Sequence, residues 1–438
     1  MNLKYLSISF MLLSAILCKG QNATVYGDSL SLSSVIERVI ENYPAIIKAQ
    51  KNIDAANEKI NLAKTAYYPD INFSGQYVRI APITEFDLSA LHLGVMQMSV
   101  ADNYGISLNL NQLIYDFGRT AKNTNIQKES KKIDELSLEL TKQQIALAAA
   151  GTFYNIAFLQ KALKIKDEEL AALNEHLDFV QKKLAAGTAT EYAVLSTQVR
   201  ISTVENQRTD IETSLIAQKS QLNSFLGRPQ SGDISVKAEI NSEQSINSIE
   251  NLTQTAYSNR TELKISEEKL QISKQKLGLL NSQYLPSLRL FASAGFKNGY
   301  IPNLYRFTPN FQAGVGLQVP IFDQGKTMYG KRATNSEIEA NHQEVELTKL
   351  MIANDIVNCK TSIDAAQKKV QQSQMQLVQA NKAYKLAQTS YNAGAITNLD
   401  LLDSYTNLSD SKLSLFKSQI EYTLNLLKLK IAKGEKIY

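Results

Sequence analysis

Cysteine and histidine are the side chains most often recruited to hold a metal or attack a substrate, and this 438-residue chain has two of the first and three of the second. Cys18 sits in an apolar run near the start and Cys359 stands alone. That excludes an intramolecular disulfide in a processed chain and any zinc cluster built on thiolates. His92, His176 and His342 follow no ligand spacing, and there is no HExxH, phosphate-binding GxxxxGK[ST], GxGxxG or GxSxG. Tyrosine is abundant, at 20 residues, but no Ser, His and carboxylate constellation accompanies it. The sequence therefore predicts no enzyme, no cofactor and no metal, and the chain's function must rest on shape and surface.

Composition narrows the shape. With 44% hydrophobic and 20% charged residues, 8 Pro and 19 Gly, the chain is too apolar to be disordered and too poor in Gly and Pro to be collagen-like. Its length exceeds the roughly 100–200 residues of one ordinary domain, which leaves several domains or one elongated, repetitive architecture. Residues 1–20 read as a signal peptide: Lys4, an apolar run from Leu6 to Leu17, then Cys18-Lys19-Gly20 at the expected cut. Leu17 is bulky where a lipoprotein signal wants a small residue before its cysteine. Removing two lysines there takes the net charge from +5 to +3, 45 basic against 42 acidic residues, which implies no nucleic-acid partner.

Repeats decide the architecture. Asp116, Gly118, Gly187 and Gly227 recur 207 residues later as Asp323, Gly325, Gly394 and Gly434. Tyr68-Pro69 recurs as Leu285-Pro286 at 217, so the first copy has a ten-residue excess between Pro69 and Gly118. Residues 21–240 form one expected repeat and 241–438 the second. Arg119 to Ala185 has no Pro, and its only Gly is Gly151; Lys326 to Ala393 has no Pro and one early Gly330. Apolar residues recur every seven along both: Ile126, Ile133, Leu140 and Leu147, then Ile156, Leu163, Leu170, Leu177 and Leu184, and in copy two Ile363, Val370, Leu377, Tyr384 and Tyr391. Such a repeat specifies helices wound around neighbours, here rods of about 100 Å over 119–185 and 326–392. Gly187 and Gly394 are set to end them in left-handed turns, with Thr190 and Thr397 capping return helices over 191–226 and 398–432. Asp400, three residues after Thr397, completes a capping box.

Period-two segments precede each rod. Tyr104, Ile106, Leu108 and Leu110 alternate with Gly105, Ser107, Asn109 and Asn111, and Phe311 to Val319 and Leu288 to Ala294 alternate likewise. Strands are expected at about 70–82, 103–115, 287–298 and 310–321, each long enough to cross a bilayer as a tilted barrel strand. A half-buried soluble sheet alternates in the same way, but a polar face of Asn, Ser, Gln and Gly behind a signal peptide suits a wet lumen. Four strands cannot close a barrel and lipid does not tolerate open edges, so the chain must oligomerise; two copies would give eight strands and three would give twelve.

These motifs resemble the TolC-like outer-membrane efflux family over nearly the whole chain beyond residue 20. The resemblance is carried by Tyr68-Pro69-Asp70 and Leu285-Pro286-Ser287 before strands, Gln112-Leu-Ile-Tyr-Asp-Phe-Gly-Arg119 and Val319-Pro-Ile-Phe-Asp-Gln-Gly-Lys326 after them, and the two Gly-x-x-Thr turns. It implies a mainly α protein with a membrane β-barrel portion. Two tandem repeats of helix, two strands, long helix and helix would assemble as a homotrimer, with a 12-stranded barrel continuous with a periplasmic α-helical barrel. It further implies an exit duct in the Gram-negative outer membrane, contacting its lipid and recruited by an inner-membrane pump through a periplasmic adaptor (membrane fusion protein). Drug efflux and type I protein secretion are not separated. The alternative is a trimeric coiled-coil surface adhesin or structural spacer, which would need one anchor and one stalk rather than paired hairpins.

Matched onto this chain, the adaptor-docking tips are Gly187, Thr190, Leu195, Gly394, Thr397 and Leu402. Pro69, Asp116, Gly118, Pro286, Asp323 and Gly325 mark strand–helix junctions. Family members often carry acidic residues before the second turn; here Lys382 and Lys385 stand there, and Glu175 and Asp178 occupy the stretch in copy one. They are either solvated helix faces or an entrance ring whose charges have changed copy. The apolar stretch Ile83 to Asn103 is expected at the outer mouth, as a loop packed on trimer neighbours or a short amphipathic helix, and Gly232 to Gln244 as a belt around the helices.

Overall fold

The computed structural model describes residues 30–89, 94–240 and 248–438. The expected signal segment, His92 with Leu91 and Leu93, and 241–247 lie outside the described residues. The first half of the chain forms α1 (Leu32–Asn42), α2 (Pro44–Lys64), β1 (Asp70–Arg79), β2 (Glu85–Asp87), β3 (Val95–Gln97), β4 (Asp102–Tyr115), α3 (Arg119–Ala185) and α4 (Glu191–Phe225). The second forms α5 (Ile249–Asn259), α6 (Thr261–Asn281), β5 (Ser287–Lys297), β6 (Thr308–Gln318), α7 (Lys326–Asn392) and α8 (Asn398–Ala432).

Local chemistry sets the starts. Ser31 Oγ accepts the Ser34 N–H at the head of α1, and Pro44 opens α2, where a missing N–H costs nothing. Two expected strands end early: β1 stops at Arg79 rather than 82 and β6 at Gln318 rather than 321. Pro82 and Pro320 lie just beyond, and neither has an N–H for a ladder. Ile83 to Asn103 is more than a plain loop, and residues 90–93 within it lie outside the described residues. It holds the small antiparallel pair β2–β3, with Phe86 opposite Met96.

All four long strands lie antiparallel in the order β1-β4-β5-β6, which leaves β1 and β6 as open edges. Directly paired residues share a face, so above a bulge between Leu113 and Tyr115 in the β4–β5 pairing each residue row runs across the sheet on one face. Ile71, Leu110, Ala292 and Ala313 form one row and Phe73, Leu108, Ala294 and Phe311 the next. The opposite face carries Asn72, Asn109, Ser293 and Gln312. There Asn109 Nδ2 donates to Asn72 Oδ1 at 3.2 Å and Ser74 Oγ at 2.9 Å. Phe291 is the large aromatic side chain on this side, which also carries Val78 and Leu113 near its two ends. The Phe291 ring lies over Gly314, where an added Cβ would come within 2.7 Å of Cζ and push the ring aside. Apolar exposure is heavy on the other face, with Phe311 at 85% and Leu317 at 68%. Aromatic residues gather at both strand ends: Tyr104, Phe296, Tyr305 and Phe307 at one, Tyr68, Tyr115, Phe117 and Phe322 at the other. Among the described residues no helix is long and apolar enough to cross a membrane.

The core lies midway along the rods. Ala149, Phe153 and Ile156 of α3 meet Val35 and Val39 of α1, Leu222 of α4 and Ile420 of α8. Ala149 and Ala150, both fully buried, let α1 approach closely. Ile234 and Val236 join this cluster, and Leu30 bonds Ser235 and Lys237 as a short parallel bridge, so the described part of the expected belt lies flat on the helices. Lower on α3 the buried line is Ala162, Lys166, Glu169, Leu173 and Val180. The leucines expected there flank it: Leu163, Leu170 and Leu177 are half-buried and Leu184 is exposed. Two charged residues occupy the seam because they neutralise each other.

Candidate functional site

Both hairpin tips are built by short-range hydrogen bonds. Gly187 and Gly394 have φ of 75°, which lets the last helical carbonyls accept from the turn: Lys183 O from the Thr188 N–H at 2.9 Å, and Ser390 O from the Ala395 N–H at 2.8 Å. Thr190 Oγ1 accepts the Ala193 N–H, and Thr397 Oγ1 accepts the Asp400 N–H. Asp400 Oδ2 accepts in return from the Thr397 N–H at 2.9 Å and hydroxyl at 2.6 Å, which holds its carboxyl below the usual range.

Matched positions then diverge. Leu195 of α4 is 52% exposed, and with Tyr192 and Val199 it forms an apolar stripe at positions i, i+3 and i+7. Its counterpart Leu402 is 2% exposed, packed on Leu173, Ile201 and Val204. The expectation of Leu402 as a docking surface is corrected: α8 is held against α3 and α4, whereas nothing among the described residues covers this stripe of α4.

Just above the tips, α3, α7 and α8 enclose a cavity of about 290 Å³ whose lining includes Glu175, His176, Phe179, Tyr384, Tyr391 and Tyr405. His176 Nε2 lies 2.7 Å from Asn398 Oδ1. Asn398 Nδ2 donates to Ala193 O, Ser196 Oγ and Thr197 Oγ1, so one side chain ties α8 to both α3 and α4. Burial lowers the His176 pKa, the Asn398 bond opposes this and Lys183 adds to the lowering, so the net effect favours the neutral ring. The Lys183 ammonium lies over the Phe179 and Tyr391 rings at 4.9 and 4.8 Å. Burial, with Tyr384, Glu169 and Glu168 nearby, pushes the Tyr405 phenol up to about 12, and it donates to Glu168 O. Deeper in the seam Lys166 Nζ and Ser409 Oγ both donate to Glu169 Oε2, at 2.9 and 2.6 Å, while Oε1 is buried with no hydrogen-bond partner.

At the other end of each rod an aspartate folds the strand into the helix. Asp116 accepts from Gly118 N at 3.0 Å, Thr120 N at 2.7 Å and Thr120 Oγ1 at 2.6 Å. Burial raises its pKa, but these bonds and Arg119 outweigh that and hold it low. Asp323 accepts from Gly325 N and Thr327 N in the same way, with Tyr284 donating to Oδ1. Phe117 and Gly118, and again Gln324 and Gly325, are consecutive left-handed residues, a conformation these aspartate bonds stabilise.

A family model, the outer membrane efflux protein, matches residues 35–228 and 252–435. The chain belongs to this family. Among curated relatives of this efflux protein is the outer membrane protein TolC of Vibrio cholerae, 21% identical over 409 residues, covering 92% of this chain and 90% of that one. The proteases secretion protein PrtF of Dickeya chrysanthemi is likewise 21% identical, over 85% and 81% of the two chains. The crystal structure of the outer membrane protein VceC from V. cholerae superposes with a TM-score of 0.74 at 18% identity, covering 93% and 97%. As in the rest of its family, this efflux protein belongs to the Gram-negative outer membrane.

The expected entrance charges are not gathered into one cluster. Glu175 lines the cavity beside Tyr384, Asp178 pairs with Lys182 one turn along its own helix, and Lys382 and Lys385 are exposed on α7. No ion pair joins the lysines to the acids among the described residues. Sequence reasoning missed His176, Asn398 and the Lys166–Glu169 pair. Only copy asymmetry could have flagged them: the partner positions are Ala383, Glu191, Ser373 and Gln376.

Proposed function

We propose that three copies of this efflux-family protein close into a passive outer-membrane exit duct, loaded by an inner-membrane pump through a periplasmic adaptor. The observation that carries this reading is the sheet: four strands of 10 to 14 residues with one apolar and one polar face and two open edges, continuous with 67-residue rods. Lipid tolerates such a sheet only when its edges are paired, and three sheets supply the twelve strands of a water-filled barrel. The rods extend it by about 100 Å. Energy must come from partners, because nothing in the sequence binds a nucleotide phosphate.

The adaptor docks at the hairpin tips. Gly187, Thr190, Gly394 and Thr397 shape the turns, and the exposed Tyr192, Leu195 and Val199 stripe supplies the contact. Of the four entrance-charge candidates, Glu175 is the one that lines the half-open pocket between α3, α7 and α8. Planar-bilayer conductance of the detergent-purified protein, with its oligomer mass measured alongside, tests the reading. Discrete steps from a trimer are expected. A monomer, or a trimer that stays silent after Glu175→Gln with Asp178→Asn, overturns it.

A further inference from the structure

Within one protomer the rods are not equivalent. α3 packs on both α2 and α6, whereas α7 packs on α6, α5 and α8 and leaves the face corresponding to α3's contact with α6 uncovered. α2, the counterpart of α6, likewise lacks a rod on its far side. The covered contact in the first half shows what the uncovered faces are shaped to meet, because the offsets hold element by element: α3 recurs as α7 at 207 residues, and α2 as α6 at 217.

Three side chains of α3 supply the polar contacts of that packing. Arg119 Nη2 donates to Leu285 O at 2.8 Å and Pro286 O at 3.0 Å. Lys122 Nζ donates to Gly278 O at 3.1 Å and to Ser282 Oγ. Lys132 forms an ion pair with Glu268. Carried to the second half, Arg119 becomes Lys326, and Leu285 and Pro286 become Tyr68 and Pro69. Lys122 becomes Tyr329, facing the Asn61 carbonyl and the Thr65 hydroxyl. Lys132 becomes Glu339 and Glu268 becomes Lys51, so the signs of the ion pair exchange while its complementarity survives. Every donor still meets an acceptor and each charge its opposite. Lys326 and Glu339 are exposed on α7, and neither has an ion-pair or hydrogen-bonding side-chain partner among the described residues. Tyr329 is 62% exposed, and among the described residues Lys51 pairs with Asp54, on its own helix.

We infer that the uncovered face of α7 is built for α2 of a second copy of this chain, with Glu339 paired to the neighbour's Lys51 and with Lys326 and Tyr329 donating to the neighbour's Tyr68–Pro69 and Asn61–Thr65. The same correspondence sets the strand register at the seam. Leu110 opposite Ala292 becomes Leu317 opposite Gly75, and Leu108 opposite Ala294 becomes Val315 opposite Tyr77. Each pairing keeps the apolar face apolar, so the rows described above run on unbroken from one copy to the next. The inference rests on the duct reading in needing a closed ring, and it adds which residues close it.

Reversing charges tests it in the full-length protein purified from the outer membrane. Glu339→Lys and Lys51→Glu are each expected to lower the SDS-resistant oligomer at least about threefold near its melting temperature, a surface pair repeated at every seam of a ring. The double reversal should restore it. In a Cys359→Ser background, a short bismaleimide should link Glu339→Cys to Lys51→Cys between copies, and link Glu339→Cys to Glu58→Cys, about two turns away, far less. A double reversal no better than the worse single variant, or equal linking at positions 51 and 58, overturns the inference. Either result would leave the duct reading intact if the oligomer still conducts. A wild-type protein that is monomeric and silent would instead overturn the duct reading.

Discussion

Asp116 and Asp323 show how much one carboxylate can organise. Each gathers N–H groups from a turn of two left-handed residues that would otherwise be unfavourable for Phe117 and Gln324. Since the folded-state pKa of Asp116 is held below its ordinary 3.8, its contribution to stability is complete above about pH 4 and is lost as pH falls through the lower folded value. Asp116→Asn should therefore cost on the order of 1–2 kcal/mol at neutral pH and flatten the acid limb of the unfolding curve, measured by circular dichroism against pH. His176 has the opposite chemistry and the same sign. Its pKa is lowered by burial from 6.5, so the contact with Asn398 is intact above that value and is penalised progressively as acid protonates the unfolded ring first. Protease cleavage near the hairpin tips should rise between about pH 6.5 and 5, and His176→Gln should abolish that rise.

At the scale of elements, equal sequence positions do unequal work. Leu195 and Leu402 match across the repeat, yet one faces outward and the other is buried. Leu402→Ala should cost roughly 2–5 kcal/mol in thermal unfolding, the range for a buried leucine. Leu195→Ser should leave unfolding within about 0.5 kcal/mol and, if the proposed docking holds, weaken capture of a periplasmic adaptor severalfold in a pull-down. The turns, rods and strands were legible beforehand because each follows from short-range rules: glycine with positive φ, period seven, period two. The buried seam of α3 was not. Its Lys166 and Glu169 look like surface residues until Ser409, 240 positions away, is seen to complete their bonding. His176 and Asn398, 222 residues apart, were hidden for the same reason. The β2–β3 pair lies where a loop or a short amphipathic helix is expected, because three-residue strands are too short to establish a period.

Over the whole molecule, the repeat makes one protomer an incomplete object. It carries the covered version of a contact in its first half and the uncovered version in its second, and its sheet ends in two edges that lipid will not accept. A protomer is therefore not a membrane protein until it meets its neighbours, and insertion and assembly become one event. That has a consequence in a cell holding two alleles. A subunit whose β6 edge or α7 face is spoiled but which still folds would enter rings through its sound side and ruin each one it joins. With equal amounts of both subunits, only about one ring in eight would be wholly sound in the proposed trimer. A recessive-looking surface substitution at Glu339 or Lys326 would then behave as a dominant poison of export.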